Sequence, residues 1–302
     1  TIILSMKEIK ISNLNKEEKI LYIIKENFPN LSSSILHKAL RNKDIKVNGK
    51  RINNSNYSIK NNDLIQIYIE DSLLFGFPQD LHVQYEDENI LIAYKPQGIL
   101  SNNETKEQTE LTFEDFVKSK KGENIKICHR LDRNTSGLII FSKNDFAYNL
   151  LFNAFKEGYI QKEYIAYVYG EFNNNKCHYE NFLLKDEKSG TSKIYDKNVK
   201  NSQKIITDIY VKNVYKTKNY SILKVIIHTG KTHQIRALLS HLSHPIIGDS
   251  KYGKNEINKK FKKYKQMLFA IKYTFNFPKS SKLSYLNDIS VCLNKDLYEN
   301  KI

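Results

Sequence analysis

The sequence predicts an α+β protein of two domains. A small domain with a helix pair and a hairpin precedes a larger domain built on a mixed, largely antiparallel β-sheet with flanking helices. The length of 302 residues suits two modest domains, and 40% hydrophobic residues can form real cores. Strand patterns in the second part outnumber long helices and do not alternate regularly with them, which favours this class over a doubly wound fold. The expected domains are residues 1–72 and 86–302, with a linker at 73–85.

The first domain begins with two short helices. Apolar residues have helical spacing within residues 14–28, and a second helix is expected from a cap at Ser32 or Ser33 through Leu40. The dipeptide Asn48-Gly49 between alternating residues then predicts a tight hairpin. A closing strand is expected to contain the alternating residues Ile65, Ile67 and Ile69.

The second domain begins with two apolar strand patterns and a helix. The segment NILIAYKPQG reads as a strand that runs into a turn at Lys95–Gly98, and SGLIIFSKN reads as another strand. A helix is expected from Asn144 to Glu157. Its inward-facing residues are expected to be Phe146, Leu150, Leu151 and Phe155.

Two more strands and a helix follow. QKEYIAYVYG and YSILKVIIHTG have strand patterns. Thr232 is expected to cap a helix that carries Ile235, Leu239 and Leu242 on one face.

The charge distribution indicates a polyanionic partner. The net charge is +15, with 12 basic and 8 acidic residues in 1–72 and 33 basic and 16 acidic residues in 119–302. Nucleic acid is the leading candidate, although a coding bias toward Lys and Asn explains the bulk charge about equally well. Arginine is more informative because a planar guanidinium, unlike an ammonium, can bind bidentately. All five arginines lie in motif-like segments: Arg41, Arg51, Arg130, Arg133 and Arg236.

Several classes of protein are disfavoured. Three scattered cysteines without a CxxC pair argue against disulfides and structural zinc, and eight histidines show no convincing ligand spacing. The sequence has no apolar stretch long enough to span a membrane, so a cytoplasmic location is expected. It also lacks GxxxxGK[ST], HExxH and GxSxG. We therefore expect no metal and no cofactor.

The densest polar cluster is HRLDRNTSG, directly before an apolar strand. Asp132 lies between Arg130 and Arg133, and nearby cations favour an ionised carboxylate suited to nucleophilic or general-base work. A surface ion pair is the usual explanation for an isolated aspartate in such a setting. A glycosidase of the usual kind needs a second carboxylate, for which the spacing offers no candidate.

These segments resemble two known families. Residues 12–70, with a basic second helix, a VNG turn and NNDLIQIYI, resemble the S4 RNA-binding domain. Residues 86–276 resemble the RluA-type pseudouridine synthases. The motifs that carry this second resemblance are YKPQG, HRLDRNTSGLIIFSKN, KEYIAYVYG and GKTHQIRALLSHLSHPIIGDSKYG, in that order. An S4 domain commonly accompanies the large-subunit ribosomal RNA branch of that family.

The resemblance implies three catalytic positions. Asp132 corresponds to the catalytic aspartate, Tyr164 to the tyrosine that stacks on the target base, and Arg236 to the arginine that pairs with the aspartate. The expected RNA-binding residues are Arg41, Lys43, Lys46, Asn48, Arg51, Arg130 and Arg133.

The sequence also departs from the family pattern. Lys231 replaces an arginine, Ala237-Leu238 replaces Val-His, and Phe269 stands where histidine is common. None of these departures affects the three catalytic positions, so they put substrate contacts rather than activity in doubt.

The implied reaction breaks the C–N glycosidic bond of uridine, rotates the uracil and forms a C–C bond. The uridine must leave its stack to reach Asp132, which costs a few kcal/mol. Asp132 attacks C1′, removes a ribose proton to give a glycal, or adds to C6 of the uracil, and the sequence does not choose among these routes.

The favoured interpretation is an isomerase that modifies large-subunit ribosomal RNA, alone or in pre-ribosomal particles, and acts as a monomer. The alternatives are a transfer RNA pseudouridine synthase and a noncatalytic ribosome-assembly factor. The intact trio of Asp132, Tyr164 and Arg236 argues against the noncatalytic factor, because binding alone does not require it. A nuclease or glycosidase is disfavoured by the lack of a metal-site pattern and of a second carboxylate.

Overall fold

The structure, a computed structural model, contains two compact units. The first comprises the described parts of 1–80 and 103–112, and the second those of 81–102 and 113–302. The structure describes residues 6–29, 31, 33–69, 74, 80–103, 111–187 and 189–302, with the exception of the Ser34 side chain.

The first unit combines two helices and two small sheets around one core. The helices are α1 (Ile20–Asn27) and α2 (Ser33–Arg41). The strands are β1 (Lys7–Lys10), β2 (Glu18–Lys19), β3 (Ile45–Val47), β4 (Lys50–Ile52), β5 (Ser58–Ile59) and β6 (Leu64–Ile67). An antiparallel sheet has the order β1-β6-β3-β4, and β2 pairs with β5. Both predicted helices are confirmed, but α1 is shorter than residues 14–28 because Glu18 and Lys19 pair with β5.

The predicted hairpin joins β3 and β4 through Asn48 and Gly49. Their φ angles are 49° and 78°, the left-handed values that a two-residue type I′ turn requires. The closing strand β6 ends at Ile67, two residues earlier than expected, while Ile69 remains buried. The hairpin prediction is therefore confirmed, and the strand prediction is confirmed with a shorter end.

The second unit is organised by one 11-stranded sheet. Its strands are β7 (Val83–Glu86), β8 (Ile90–Lys95), β9 (Lys126–Ile127), β10 (Ser136–Ser142), β11 (Ile160–Tyr169), β12 (Lys176–Asp186), β13 (Thr191–Tyr195), β14 (Gln203–Tyr215), β15 (Tyr220–Ile227), β16 (Leu268–Phe275) and β17 (Ser290–Cys292). The main order is β13-β12-β14-β15-β11-β16-β10-β8-β7, with β9 beside β10 and β17 beside β16. Among the described pairings only β10 with β16 is parallel, which confirms a mixed, mostly antiparallel sheet.

Helices flank this sheet. They are α3 (Phe113–Lys121), α4 (Asp145–Glu157), α5 (Gln234–His241) and α6 (Asn255–Phe261), followed by 3₁₀ turns at Ser284–Asp288 and Lys295–Leu297. Strands β8 and β10 are almost entirely buried, and most residues of the middle strand β11 are buried too, so the core extends from the middle of the sheet toward β8. No helix among the described residues is long and apolar enough to cross a membrane.

Two details of the helix predictions are wrong. Phe146 is 44% exposed, because the buried stripe of α4 contains Ala147, Leu151 and Ala154 and the helical rotation turns Phe146 outward. The α5 cap is His233 rather than Thr232.

The expected linker begins outside the described residues, at 73 and 75–79, but its end is structured. Strand β7 starts at Val83 and pairs with β8, so residues 83–85 belong to the large sheet. Strand β7 has only four residues, so its alternating pattern was too short to distinguish a strand from a linker in the sequence.

Candidate active site

The loop that carries Asp132 leads directly into β10 and is held by hydrogen bonds. The Thr135 N–H donates to the Asp132 carbonyl at 3.0 Å. The buried Ser101 hydroxyl donates to the Leu131 carbonyl at 2.7 Å and accepts from the Leu131 N–H at 3.0 Å. These contacts fix the backbone on both sides of Asp132.

A buried lysine supports the same loop. Lys95, at the end of β8, donates through Nζ to the carbonyls of Pro96, Arg133 and Thr135 at 2.9, 3.0 and 3.0 Å. Three carbonyl acceptors match the three donors of an ammonium, so burial of this charge is compensated. The lysine of the YKPQG segment thus holds the backbone of the Asp132 loop in place.

The start of β10 also needs a glycine. Gly137 has φ +128°, and a Cβ built there would lie 2.2 Å from the Ala270 carbonyl oxygen on β16. Only glycine permits this approach of the two parallel strands without a backbone shift. This close approach places the end of the Asp132 loop next to β16. Strand β11 lies on the other side of β16.

Arg236 joins two aspartates. From α5, its Nη1 donates to Asp132 Oδ2 at 2.7 Å. Its Nε and Nη2 donate to Asp249 Oδ2 and Oδ1 at 2.7 and 3.0 Å, a bidentate pair. The side chain of Asp249 is fully buried, that of Arg236 is 6% exposed, and that of Asp132 is 24% exposed. Asp132 is therefore the carboxylate of this triad that solvent and ligands reach.

Arg236 and Asp249 are both charged at neutral pH. Burial opposes ionisation of Arg236, but its hydrogen bonds and charge interactions with Asp249, and then with Asp132, raise the pKa of the guanidinium. Burial likewise opposes ionisation of Asp249, but Arg236 and the N–H groups of Tyr252 and Lys251 hold the pKa of that carboxyl below its usual value. One buried cation is thus balanced by a buried anion and the accessible Asp132.

Tyr164 lies on β11, beside the triad. Its side chain is buried, and burial together with the Asp132 charge raises the pKa of the phenol. The hydroxyl therefore stays protonated at neutral pH. Its ring suits stacking, and the neutral hydroxyl suits hydrogen bonding.

His233 completes the surroundings of Asp132. Its Nε2 lies 3.8 Å from Asp132 Oδ2, and its Nδ1 is 2.9 Å from the Tyr252 hydroxyl. The backbone of His233 is left-handed, with φ 60°. Gln234 stabilises this turn by accepting from the Lys231 N–H and the Thr229 hydroxyl at 3.1 and 2.9 Å.

The structure places Asp132, Tyr164 and Arg236 in one site, where Arg236 donates to Asp132 and the Asp132 charge acts on Tyr164. Their catalytic roles stay predictions. Asp249, Lys95 and His233 received no role from the sequence. They lie within the segments GDSKYG, YKPQG and THQIR, so their motif membership was the only available signal.

The predicted RNA-binding residues differ in whether their side chains already have partners within the protein. Arg133 donates through Nη1 to the Gly98 carbonyl at 3.2 Å, and Arg130 is exposed. In the first unit, Asn48 has its side chain engaged: its Nδ2 donates to Asp63 at 2.7 Å and its Oδ1 accepts from the Leu64 N–H at 2.9 Å. Asn48 therefore has a structural role in this unit.

The basic residues of the first unit are mostly at its surface. Arg41, Lys43 and Arg51 are exposed, and Arg51 donates to the Lys43 carbonyl. Lys46 is partly buried, with its ammonium 4.9 Å from the centre of the Tyr68 ring. The surface formed by Arg41, Lys43, Lys46 and Arg51 is called the basic hairpin surface below.

Partly buried His129 provides a pH-dependent prediction. Its Nε2 accepts from the Ile140 N–H at 3.1 Å, and burial, followed by the charge of Lys162, lowers its pKa to about 3. Below pH 6.5 the unfolded chain binds a proton that the folded chain excludes, so stability should fall by up to about 1.4 kcal/mol per pH unit toward pH 3. Urea unfolding between pH 7 and 4 should show a flatter dependence for His129→Gln.

The exposed His82 provides the control, because His82→Gln should retain the wild-type pH dependence. An unchanged slope in His129→Gln would show that His129 is not held neutral.

Comparisons with known proteins point to one family. Residues 89–241 match the family model for RNA pseudouridylate synthase. The chain is 33% identical to an uncharacterised RNA pseudouridine synthase of Mycoplasma capricolum, over 95% of this chain and 97% of that protein. It is 33% identical to ribosomal large subunit pseudouridine synthase C of Rickettsia conorii, over 78% and 82%. It is 31% identical to tRNA pseudouridine synthase C of Haemophilus influenzae, over 57% and 76%.

A solved structure shares the fold. Human RNA pseudouridylate synthase domain containing 1 matches with a TM-score of 0.58 and 23% identity, over 71% of this chain and 83% of that one. The family model and the relatives, rather than this structural likeness, show that the protein is an isomerase that modifies RNA. The chain belongs to the RNA pseudouridylate synthase family, as the resemblance to the RluA-type enzymes predicted.

The described residues contain no group of three or more His, Cys, Asp or Glu side chains placed to hold a metal ion.

Proposed function

We propose that this enzyme converts specific uridines of large-subunit ribosomal RNA to pseudouridine, with Asp132 as its catalytic carboxylate. The observation that carries the proposal is the contact of Arg236 with both Asp132 and the buried Asp249, beside Tyr164. A carboxylate held this way is fixed in orientation and partly exposed, as a group that must reach a flipped nucleotide needs to be.

Each side chain has a proposed part in the reaction. Asp132 acts as nucleophile or base at the flipped uridine. Arg236 holds the carboxylate in one orientation, and Tyr164 stacks on the uracil. Because the pKa of Tyr164 is raised, its hydroxyl stays protonated and cannot act as a base. Tyr164 therefore assists proton transfer only by donating a hydrogen bond. The positive charge of Arg236 also stabilises negative charge that develops near Asp132 in the transition state.

Large-subunit ribosomal RNA is the preferred substrate for two reasons. The Rickettsia relative is named for that RNA, and the S4-like pattern of residues 1–72 fits an accessory RNA-binding domain. We infer that the enzyme meets this RNA in the cytoplasm, as naked RNA or in pre-ribosomal particles, and acts as a monomer. Transfer RNA is the alternative, because the Haemophilus relative is named for it.

Mapping pseudouridines in cells that lack this chain tests the substrate. Sites that disappear from large-subunit ribosomal RNA, and return with the wild-type gene but not with Asp132→Asn, would support the proposal. Loss of sites from transfer RNA alone would support the alternative. Loss of no site, with defective ribosome assembly, would support the noncatalytic factor.

The basic hairpin surface should supply affinity rather than chemistry. Replacing Arg41, Lys43, Lys46 and Arg51 with Gln should raise KM much more than it lowers kcat, because phosphate contacts act before the chemical step. Each lost contact should reduce the log–log salt slope of RNA binding by about 1. Steady-state kinetics on a ribosomal RNA fragment at two salt concentrations measures both quantities.

Replacing Lys16, Lys25 and Lys60 with Gln provides a control in the same unit, outside the basic hairpin surface. An identical KM for wild type and the four-residue variant at both salt concentrations would remove any targeting role for this surface.

A further inference from the structure

Lys162 lies on the same face of β11 as Tyr164, because side chains alternate along a strand. In the sheet it stands between Ile227 of β15 and Tyr273 of β16. Its ammonium is 5.3 Å from the centre of the Phe155 ring. The Lys162 side chain is partly buried, and it lies beside Tyr164, the predicted stacking residue, on this face of the sheet.

The loop before α5 approaches this ammonium closely. A Cβ built at Gly230 would lie 3.1 Å from Lys162 Nζ, so a side chain at position 230 would crowd the ammonium. Gly230 itself is exposed, and the next residue, Lys231, is an exposed cation. The loop therefore leaves the ammonium within reach of a ligand and adds a second positive charge nearby.

Lys162 has neither a carboxylate partner nor a hydrogen-bond acceptor among the described residues. Two polar neighbours have other hydrogen-bond partners: the Tyr273 hydroxyl donates to the Leu138 carbonyl at 2.7 Å, and His129 Nε2 accepts from the Ile140 N–H. The Tyr273 hydroxyl also lies 3.1 Å from His129 Nε2. Burial lowers the pKa of Lys162 to about 8, so the group is still mostly charged at neutral pH. Lys95, by contrast, has three carbonyl acceptors.

An uncompensated ammonium in a partly buried position is unfavourable for folding. We propose that Lys162 is a binding residue for a backbone phosphate next to the flipped uridine. The phosphodiester is the anionic group of an RNA substrate, and its oxygens accept charge-assisted hydrogen bonds from an ammonium. This assignment rests on the proposed function, in which the target uridine stacks on Tyr164. The phosphates that flank the uridine then lie near the sheet face that carries Lys162.

The test uses the full-length protein carrying Asp132→Asn, which prevents turnover, and short uridine stem-loops. Each RNA carries one uncharged methylphosphonate at a phosphate beside the target uridine. At one position the substitution should weaken binding by about tenfold, the range of a charged hydrogen bond. Addition of Lys162→Met should remove sensitivity at that position alone and reduce the log–log salt slope by about 1.

Lys224→Met is the matched control. Lys224 pairs in register with Ile165, so it lies on the opposite face of the same sheet, and its ammonium also rests on a ring, that of Tyr210 at 4.8 Å. This variant should retain the methylphosphonate sensitivity. Lys162→Met itself should melt at the wild-type temperature or above, because it removes an unpaired charge.

Three results would overturn the assignment. The first is an equal loss of affinity with every methylphosphonate in the presence and absence of Lys162. The second is an unchanged salt slope in Lys162→Met. The third is a lowered melting temperature in both Lys162→Met and Lys162→Gln, which would reveal a partner in the free protein. Failure of the parent protein to bind any uridine stem-loop would instead refute the RNA substrate, and the phosphate contact with it.

Discussion

Replacing Asp132 with Asn should lower the rate of pseudouridine formation by at least about 10³-fold, because an amide is neither a nucleophile nor a base at neutral pH. The replacement keeps the size of the side chain and an oxygen that can accept from Arg236. Arg236 also keeps its bidentate partner Asp249. The fold and the affinity for RNA should therefore change little, with binding within a few-fold of wild type.

Single-turnover kinetics on a short uridine stem-loop, together with direct binding measurements, separate these two effects. Asp145→Asn is the control, since Asp145 is an exposed aspartate that pairs with Lys126 at the start of α4. It should show wild-type rates. Turnover by purified Asp132→Asn within tenfold of wild type would contradict the assignment of Asp132.

Local elements of the fold were predictable where the signal lies within a few residues. Asn48-Gly49 identified its hairpin because the left-handed φ values of that turn restrict the residues that fit. The apolar run of β10 identified a buried strand in the same way. The helix α4 was predicted nearly to the residue from Asn144, whose side chain accepts from the Ala147 N–H at 2.8 Å.

The order of strands was beyond a single sequence. Strand β16 lies between β10 and β11, and it is parallel to one and antiparallel to the other. No local pattern indicates which distant strands pair, because alternation specifies only the faces of each strand.

The candidate site was predictable only where a local motif identifies the residue. Asp132, Tyr164 and Arg236 were recognisable by their motifs. The function of Asp249 depends on a contact with Arg236, which lies 13 residues earlier in the chain. The burial of Lys95 is compensated by backbone carbonyl groups. Neither contact leaves a signature in residue type alone.

Replacing Asp249 with Asn should give the largest loss of stability. It removes a fully buried anion and leaves Arg236 with Asp132 as its only remaining carboxylate in the triad, so we expect a cost of about 3–5 kcal/mol. The melting temperature should fall by about 10 °C for a domain of this size. Activity should also fall at temperatures where the protein is folded, since Asn places an amide N–H against a guanidinium N–H and Asp132 loses its fixed partner.

Asp208→Asn is the control for a paired aspartate elsewhere in the second unit, on β14. Asp208 contacts His178 and His228, whose side chains are exposed, so its loss should cost less than about 1 kcal/mol. Urea unfolding gives the stabilities, and single-turnover kinetics give the rates.

A double-mutant cycle distinguishes the salt bridge from packing. Arg236→Met alone leaves Asp249 buried without its cation, whereas Arg236→Met with Asp249→Asn removes both charges. The double variant should therefore be more stable than Arg236→Met alone, although both should be inactive. If instead the two stability losses simply add, or if Asp249→Asn unfolds like wild type, then Asp249 does not hold Arg236 in place. In that case the orientation of Asp132 must depend on the loop anchored by Lys95.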